Sequence, residues 1–269
     1  MRLKISHTTT YCYDVPVHYA LQQLRLTPRS DHGQTIETWN AVITGGTKEV
    51  SFDDHFGNHV DLVLMDDGAD KIEITCEGVV STVDNAGIIG QHRGYAPLWL
   101  YREPTAVTAP DAALRKLARS YSKAGQTGGD WLPELHSLSA EILNHVSYET
   151  GQTIATTTAD EAWAAGHGVC QDHAHIMITT ARLMGLPARY VSGYLLMEGV
   201  EQQDATHAWC EVHVDGIGWV GFDVSNGISP DERYVRVATG RDYAEAAPIH
   251  GLRLGAGTED LQVRLQVQQ

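Results

Sequence analysis

The chain has few cysteines, and none of them falls in a paired motif. Its 269 residues include four, Cys12, Cys76, Cys170 and Cys210. They are too few for a disulfide scaffold and too far apart for a paired zinc motif, so we expect reduced thiols. The chain also lacks a hydrophobic run near the ~18 residues of a membrane span, and MRLKISHTTTYCYDV lacks the apolar centre of a signal peptide. We therefore expect a cytoplasmic protein.

Basic residues are scarce as well. The chain has 19 Lys and Arg against 34 Asp and Glu, a formal net charge of -15. Binding to nucleic acid or to an anionic membrane needs a local excess of positive charge, and no basic run occurs in the sequence. We therefore expect neither nucleic acid nor membrane as a partner.

Residues 1–83 have the pattern of an all-β domain. Short alternating runs such as TIETWNAVIT, HVDLVLM and KIEITCEGVV are separated by turn residues at HFGN and DDGAD. Several such strands in succession indicate a β-sandwich-like domain. Residues 84–108 contain Gly and Pro without a regular period, and we interpret them as a linker.

Residues 109–269 combine helices and strands, so the predicted fold class is α+β. PDAALRKLARSYSKA and LHSLSAEILNHVSY have helical spacing, and Thr158–Glu161 resembles a capping box before a short helix that ends near Gly166. A buried helix is predicted over about Val169–Met184, stopped by Gly185. Three strands follow in ARYVSGYLLM, THAWCEVHV and GWVGFDVS, the last two joined at DGIG.

The stretch HGVCQDHAH, residues 167–175, concentrates one cysteine and three histidines at the start of the buried helix. A metal site is one interpretation. However, each helical residue turns the side chain by ~100°, so His173 and His175 point about 200° apart and cannot easily share an ion. The i, i+4 pair of helical zinc sites is absent, and we expect no metal and no cofactor.

A catalytic thiol is the interpretation that explains more. Cys170 falls in the first turn of the helix, where unpaired N–H groups and the positive end of the helix dipole favour a thiolate. The same N–H groups, including that of Gln171, can donate to an oxyanion that forms on an attacked carbonyl.

A base and a residue that orients it are available downstream. Strand alternation places His207 and Trp209 on one face of THAWCEVHV. Asp223 lies at the end of the next strand, and pairing through the DGIG turn brings it beside His207. A buried carboxylate there would set the tautomer of the imidazole.

These blocks resemble a known family. GHGVCQDHAHIMITTARLMGLPARYVSGYL, DATHAWCEVHV and GWVGFDVSNG are similar, in order and spacing, to the Cys, His and Asp blocks of the bacterial transglutaminase-like core. YDVPVHYALQQLRLTPR and DDHFGNHV resemble its amino-terminal β domain, and GRDYAEAAPIHGLRLGAG resembles its closing segment. The resemblance implies a fold related to papain-like thiol enzymes, with Cys170 as nucleophile, His207 as general base and Asp223 as its partner.

The sequence departs from the family pattern at two places. Val224 and Ser225 follow the aspartate where Pro-Thr is usual, and His173 stands where an aromatic residue is more usual. His167 and Trp209 are further pocket candidates, with solvation and core packing as their respective alternatives.

Three functions are consistent with these residues. The first is a peptide or amide hydrolase that forms a thioester on Cys170. The second is a protein-glutamine acyl transferase, or transglutaminase, that uses the same residues. The third is a non-catalytic peptide-binding protein on the same fold. The expected partner is a protein or peptide amide, and a homodimer is compatible with the sequence.

Overall fold

The computed structural model describes residues 1–121, 130–200, 202–203 and 205–269. The strands in this part of the chain, in chain order, are β1 (Arg2–Val17), β2 (Tyr19–Thr27), β3 (Gln34–Thr44), β4 (Gly46–Asp53), β5 (His59–Met65), β6 (Ala69–Thr82), β7 (Ile88–Gly90), β8 (Ser147–Tyr148), β9 (His167–Gly168), β10 (Ala188–Leu195), β11 (His207–Val214), β12 (Gly218–Phe222), β13 (Tyr234–Gly240), β14 (Ile249–Leu254) and β15 (Glu259–Gln268). The α-helices are α1 (Ala112–Tyr121), α2 (Trp131–His145), α3 (Ala159–Ala165), α4 (Cys170–Leu183) and α5 (Tyr243–Ala246). Short 3-10 helices cover Leu98–Arg102 and Ala106–Thr108.

The amino-terminal region is a β-sandwich, as its alternating sequence predicts. One sheet has the order β15-β1-β6-β3 and the other the order β14-β2-β5-β4. Alternate residues of both sheets, among them Leu24, Val63, Ile72 and Ile74, form one buried cluster. The sequence pattern missed β4, because its side chains are nearly all exposed and it lacks the alternation of a half-buried strand.

The last two strands lie in this sandwich and not in the second region. β14 pairs antiparallel with β2, and β15 with β1 over Lys4–Tyr13. The predicted core of 109–269 therefore included strands that belong to the sheets of the amino-terminal region. β7, inside the predicted 84–108 linker, pairs with β12 of the second region. A strand pattern does not name its partner, so these pairings are visible only in three dimensions.

The second region is an α+β core. Its sheet has the order β13-β10-β11-β12-β7, and β11 and β12 are joined by the predicted tight turn, with Val214 opposite Gly218. α4 packs on this sheet and is buried from Asp172 to Arg182. α3 starts at the predicted capping box of Thr158 and Glu161 and ends at Gly166, whose φ is +73°. None of the described helices is long and apolar enough to cross a membrane.

A chain of buried charges connects the core to the sandwich. Glu211 on β11 has no exposed surface and contacts the guanidinium groups of Arg189 at 2.6 Å and Arg236 at 3.0 Å. Arg236 also contacts Asp31, in the loop between β2 and β3, at 3.1 Å. The backbone of Arg236 pairs with the side-chain amide of Gln34, with both distances 2.8 Å. These contacts hold the sandwich in one position against the core sheet.

The substitution Glu211→Gln tests the importance of this connection. It leaves Arg189 and Arg236 without their shared carboxylate, and the loss of one partner from a buried ion pair costs about 3–5 kcal/mol. We expect the free energy of unfolding, measured by urea denaturation, to fall by that order. Glu73→Gln, which removes the exposed ion pair with Lys71 at 2.9 Å, is the control and should have little effect. An equal loss in both variants would contradict this account.

Candidate active site

Cys170 is the first residue of α4 and is half-buried. The turn before it is closed by Asp172, whose carboxylate accepts hydrogen bonds from the Val169 N–H at 2.8 Å and the Thr153 hydroxyl at 2.7 Å. A Cβ at Gly168 would lie 2.7 Å from this carboxyl group, so the turn needs a glycine there. Asp172 thus caps the helix, and the first N–H groups of α4 have no acceptor within the helix.

His207 begins β11 and lies beside Asp223, as the strand register predicts. Phe222, the last residue of β12, is opposite Cys210 of β11. Because the two strands are antiparallel, the chain after Phe222 runs past Trp209 towards His207, and this places Asp223 near the imidazole. The Nε2 of His207 and the Oδ2 of Asp223 are 2.6 Å apart. The side chain of Asp223 is fully buried, and that of His207 is 10% exposed.

The carboxylate of Asp223 has further donors. Tyr234 donates its hydroxyl to Oδ2 at 2.7 Å, and the side-chain amide of Asn226 donates at the same distance. Burial alone would raise the pKa of Asp223, but the hydrogen bonds from His207, Asn226 and Tyr234 outweigh it and lower that pKa. The group is therefore a carboxylate at neutral pH.

The His207 imidazole and the Cys170 thiol line the same cleft. Because Nε2 faces the carboxylate of Asp223, Nδ1 is the nitrogen available to the sulfur. Burial works to lower the pKa of His207, but the interactions with Asp223 and Cys170 prevail and raise it to about 10. The imidazole is thus influenced by the carboxylate and by the thiol together.

Tyr148 is a fourth member of the site that sequence reasoning missed. It lines the same cleft as Cys170, and burial, followed by the charges of Cys170 and Asp223, raises its pKa. The sequence pattern placed Tyr148 in a helix, whereas α2 ends at His145 and Tyr148 lies on β8, paired with Gly168 of β9. This parallel pairing brings the ring to the sulfur.

The two departures from the family pattern contact each other. The Nδ1 of His173 accepts a hydrogen bond from the Ser225 hydroxyl at 2.8 Å, and Nε2 donates to the Val146 carbonyl at 3.0 Å. Burial lowers the pKa of His173, which favours the neutral ring. His173 therefore links the loop after Asp223 to the segment that leads into Tyr148.

Other predicted pocket residues lie elsewhere. His167 lines a separate cavity with Thr153 and Glu161. Trp209 is 2% exposed and packs under His207, with ring centroids 6.3 Å apart, and against Tyr234. Neither residue lines the cavity at Cys170, so packing describes Trp209 better than a pocket wall.

The remaining residues of the HGVCQDHAH stretch have separate partners. Gln171 lines the cavity at Cys170, and its side-chain amide donates to the Ala155 carbonyl at 3.2 Å. His175 is fully buried and accepts from the Tyr243 N–H at 3.1 Å. Among the described residues, no group of three or more His, Cys, Asp or Glu side chains is arranged to hold a metal ion.

The site opens into a cleft of about 420 Å³. Its walls come from the Tyr148 segment, the start of α4, the residues between β10 and β11, and α5. They include Tyr148, Cys170, Gln171, Tyr190, Met197, Gln203, Thr206, His207 and Tyr243. The cleft thus exposes the sulfur and the imidazole to a ligand from outside.

Comparison with known proteins finds a family match in each of the two regions. The bacterial transglutaminase-like N-terminal region matches residues 3–81, and the transglutaminase-like superfamily matches residues 116–224. An uncharacterised protein of Mycobacterium leprae is 27% identical over 285 residues, covering 99% of this chain and 98% of the relative. An uncharacterised protein of Mycobacterium tuberculosis is 38% identical over 128 residues, 44% of this chain and 41% of the relative.

The fold is shared with a solved structure. A proposed cysteine protease from Cytophaga hutchinsonii has a TM-score of 0.74 at 20% identity, covering 100% of this chain and 98% of that chain. The fold and the family matches define a protein of the cysteine-dependent hydrolase and transferase class. This chain belongs to the transglutaminase-like superfamily and carries the N-terminal region of its bacterial members.

The variant Asp223→Asn tests the link between Asp223 and His207. Without the charge, the pKa of His207 should fall from about 10 towards the ordinary value of 6.5. Because the native pKa is raised, the pair stabilises the fold fully below about pH 6.5, and this contribution is lost as the pH rises to about 10. We therefore expect the difference in unfolding free energy between wild type and variant to shrink over that interval.

Titration of the His207 ring by NMR measures the pKa directly. Tyr234→Phe, which removes one donor but keeps the carboxylate, is the matched control and should shift the pKa of His207 less. An unchanged pKa of His207 in Asp223→Asn would show that the carboxylate does not control the imidazole.

Proposed function

We propose that the protein is a cysteine peptidase or amidase that hydrolyses an amide through a thioester on Cys170. One observation carries this proposal: His207 lies 2.6 Å from the buried carboxylate of Asp223 and shares a cleft with the thiol of Cys170. A nucleophile, a base and a residue that orients the base are therefore brought together before any substrate binds.

Before the first half of the reaction, the thiol proton has passed to His207, whose raised pKa favours the imidazolium. The thiolate sulfur then attacks the carbonyl carbon of the substrate. The C–N bond then breaks, and His207 gives its proton to the leaving amine, which leaves the acyl group on sulfur as a thioester. In the second half, His207 takes a proton from water, and the resulting hydroxide attacks the thioester. The acid is released and the sulfur leaves as the thiolate, with the proton on His207.

The start of α4 is suited to the negative charge that forms on the carbonyl oxygen. The backbone N–H groups of Cys170 and Gln171 lie in the first turn, where they have no acceptor within the helix. We assign the Tyr148 hydroxyl to the same region, because Tyr148 and Cys170 line the same cleft. Asp223 keeps its charge throughout and stabilises the imidazolium of His207.

Hydrolysis is favoured over transfer to an amine by the composition of the cleft. None of the described residues that line it is Asp or Glu, the side chains suited to binding a cationic amine. A peptide or protein amide remains the proposed substrate. The cytoplasmic location and a homodimer stay predictions.

A peptide library tests the reaction. Wild-type protein and Cys170→Ala are incubated with the library, with and without an added primary amine, and the products are read by mass. We expect free acids from the wild type and a loss of at least ~1000-fold in kcat/KM for the variant. Cys12→Ser, which alters a thiol on β1 outside the site, is the control and should retain activity. Amine adducts as the main product would favour the transferase instead.

Alkylation tests whether the thiol is activated even if the substrate is not found. We expect iodoacetamide to label Cys170 more slowly in His207→Ala than in wild type at about pH 6, because the imidazole that accepts the thiol proton is missing. The rate is measured by mass spectrometry of the Cys170 peptide. Equal rates in the two proteins would favour the non-catalytic, peptide-binding function.

A further inference from the structure

A second cavity, of about 260 Å³, lies between the β-sandwich and the core. Its floor is formed by β1 and β15, where Thr9 is opposite Val263 and Tyr11 is opposite Leu261. One wall is the segment Pro248–Ile249, at the start of β14. The cavity thus depends on the two carboxyl-terminal strands that complete the sandwich.

This second cavity adjoins the cleft at Cys170. Ala205, Thr206 and Tyr243 line both spaces. Thr206 directly precedes His207, and Tyr243 packs against Tyr190 of the cleft with ring centroids 6.0 Å apart. A peptide whose amide reaches Cys170 therefore has a neighbouring side chain within reach of the second cavity.

The lining is uncharged and largely apolar. Pro248, Ile249, Leu261 and Val263 supply its apolar surface, and no Asp, Glu, Lys or Arg occurs among the described residues that line it. His7 is 3% exposed, its ring nitrogens lie 3.0 Å from the Tyr194 hydroxyl and 3.1 Å from that of Thr9, and burial lowers its pKa to about 4. A charged group would lose its hydration there without gaining an ionic partner among the described lining residues.

We propose that this cavity is a specificity subsite for an uncharged, mainly apolar side chain of the peptide that Cys170 attacks. The subsite rests on the proposed function, and it assigns a role to the β-sandwich, which completes the substrate cleft. Its size is adequate, since a cavity of about 150 Å³ already holds benzene. A side chain such as Leu or Phe therefore fits, and Glu or Lys is disfavoured.

The test compares Val263→Phe with Gln262→Phe. The first variant fills the cavity from its floor, and the second adds the same ring to the same strand on the opposite face, where Gln262 is exposed. Alanine-based hexapeptides carry Leu, Phe, Glu or Lys at one of the two positions that flank the cleaved amide. The all-alanine peptide is the reference.

We expect wild type and Gln262→Phe to prefer Leu or Phe over Glu and Lys at one position by at least about tenfold in kcat/KM. In Val263→Phe the preference for Leu or Phe over Ala should fall by a similar factor. Cleavage that depends on Cys170 but shows no such preference, or a preference that Val263→Phe leaves intact, would overturn the subsite and leave the proposed function standing.

Binding provides a readout that does not need catalysis. The same peptides are titrated by calorimetry into Cys170→Ala with and without Val263→Phe. If the Leu or Phe peptide binds at least about tenfold more tightly than the others, and Val263→Phe abolishes this difference, the subsite is supported. This holds even if the wild type cleaves no peptide. Absence of cleavage would count against the proposed hydrolase and not against the subsite. Equal binding of all peptides would overturn the subsite.

Discussion

A carboxylate with no exposed surface is stable only when its neighbours donate to it, and the site depends on how Asp223 meets this condition. Its donors come from three segments: His207 on β11, Tyr234 on β13, and Asn226 in the loop that follows β12. The cost of burying the charge thereby fixes the positions of the strands around it. The imidazole is held by Asp223 in the cleft that it shares with Cys170.

The core sheet contains a second fully buried carboxylate, and its surroundings differ. Glu211 lies between the guanidinium groups of Arg189 and Arg236, which keep their charge at any physiological pH. Asp223 has instead an imidazole that can gain and lose a proton. The same sheet therefore uses one buried carboxylate to hold the sandwich in place and the other to control a titratable group in the cleft.

The departures from the family pattern preserve the geometry of the site. Proline after the aspartate would stiffen that turn. Here the hydrogen bond from Ser225 to His173 restrains the turn instead. The other nitrogen of His173 donates to the carbonyl of Val146, next to β8. The neutral histidine thus supports both the Asp223 loop and the strand that carries Tyr148.

Local patterns in the sequence were sufficient for part of this structure. Helical spacing and the glycine that follows predict a helix over about Val169–Met184 with Cys170 in its first turn, and strand alternation with a tight turn predicts that His207 and Asp223 meet. Both depend on residues close together in the chain, where the chemistry of the backbone decides the conformation.

The tertiary structure alone decided the rest. Tyr148 and Tyr234 reach the site through pairings that no local pattern specifies, and His167 faces another cavity although it lies three residues from the cysteine. Likewise, β15 joins β1 across nearly the whole chain and forms the floor of the cavity beside the cleft. Strands present the same backbone donors and acceptors along their edges, so the choice of partner depends on packing of the complete fold.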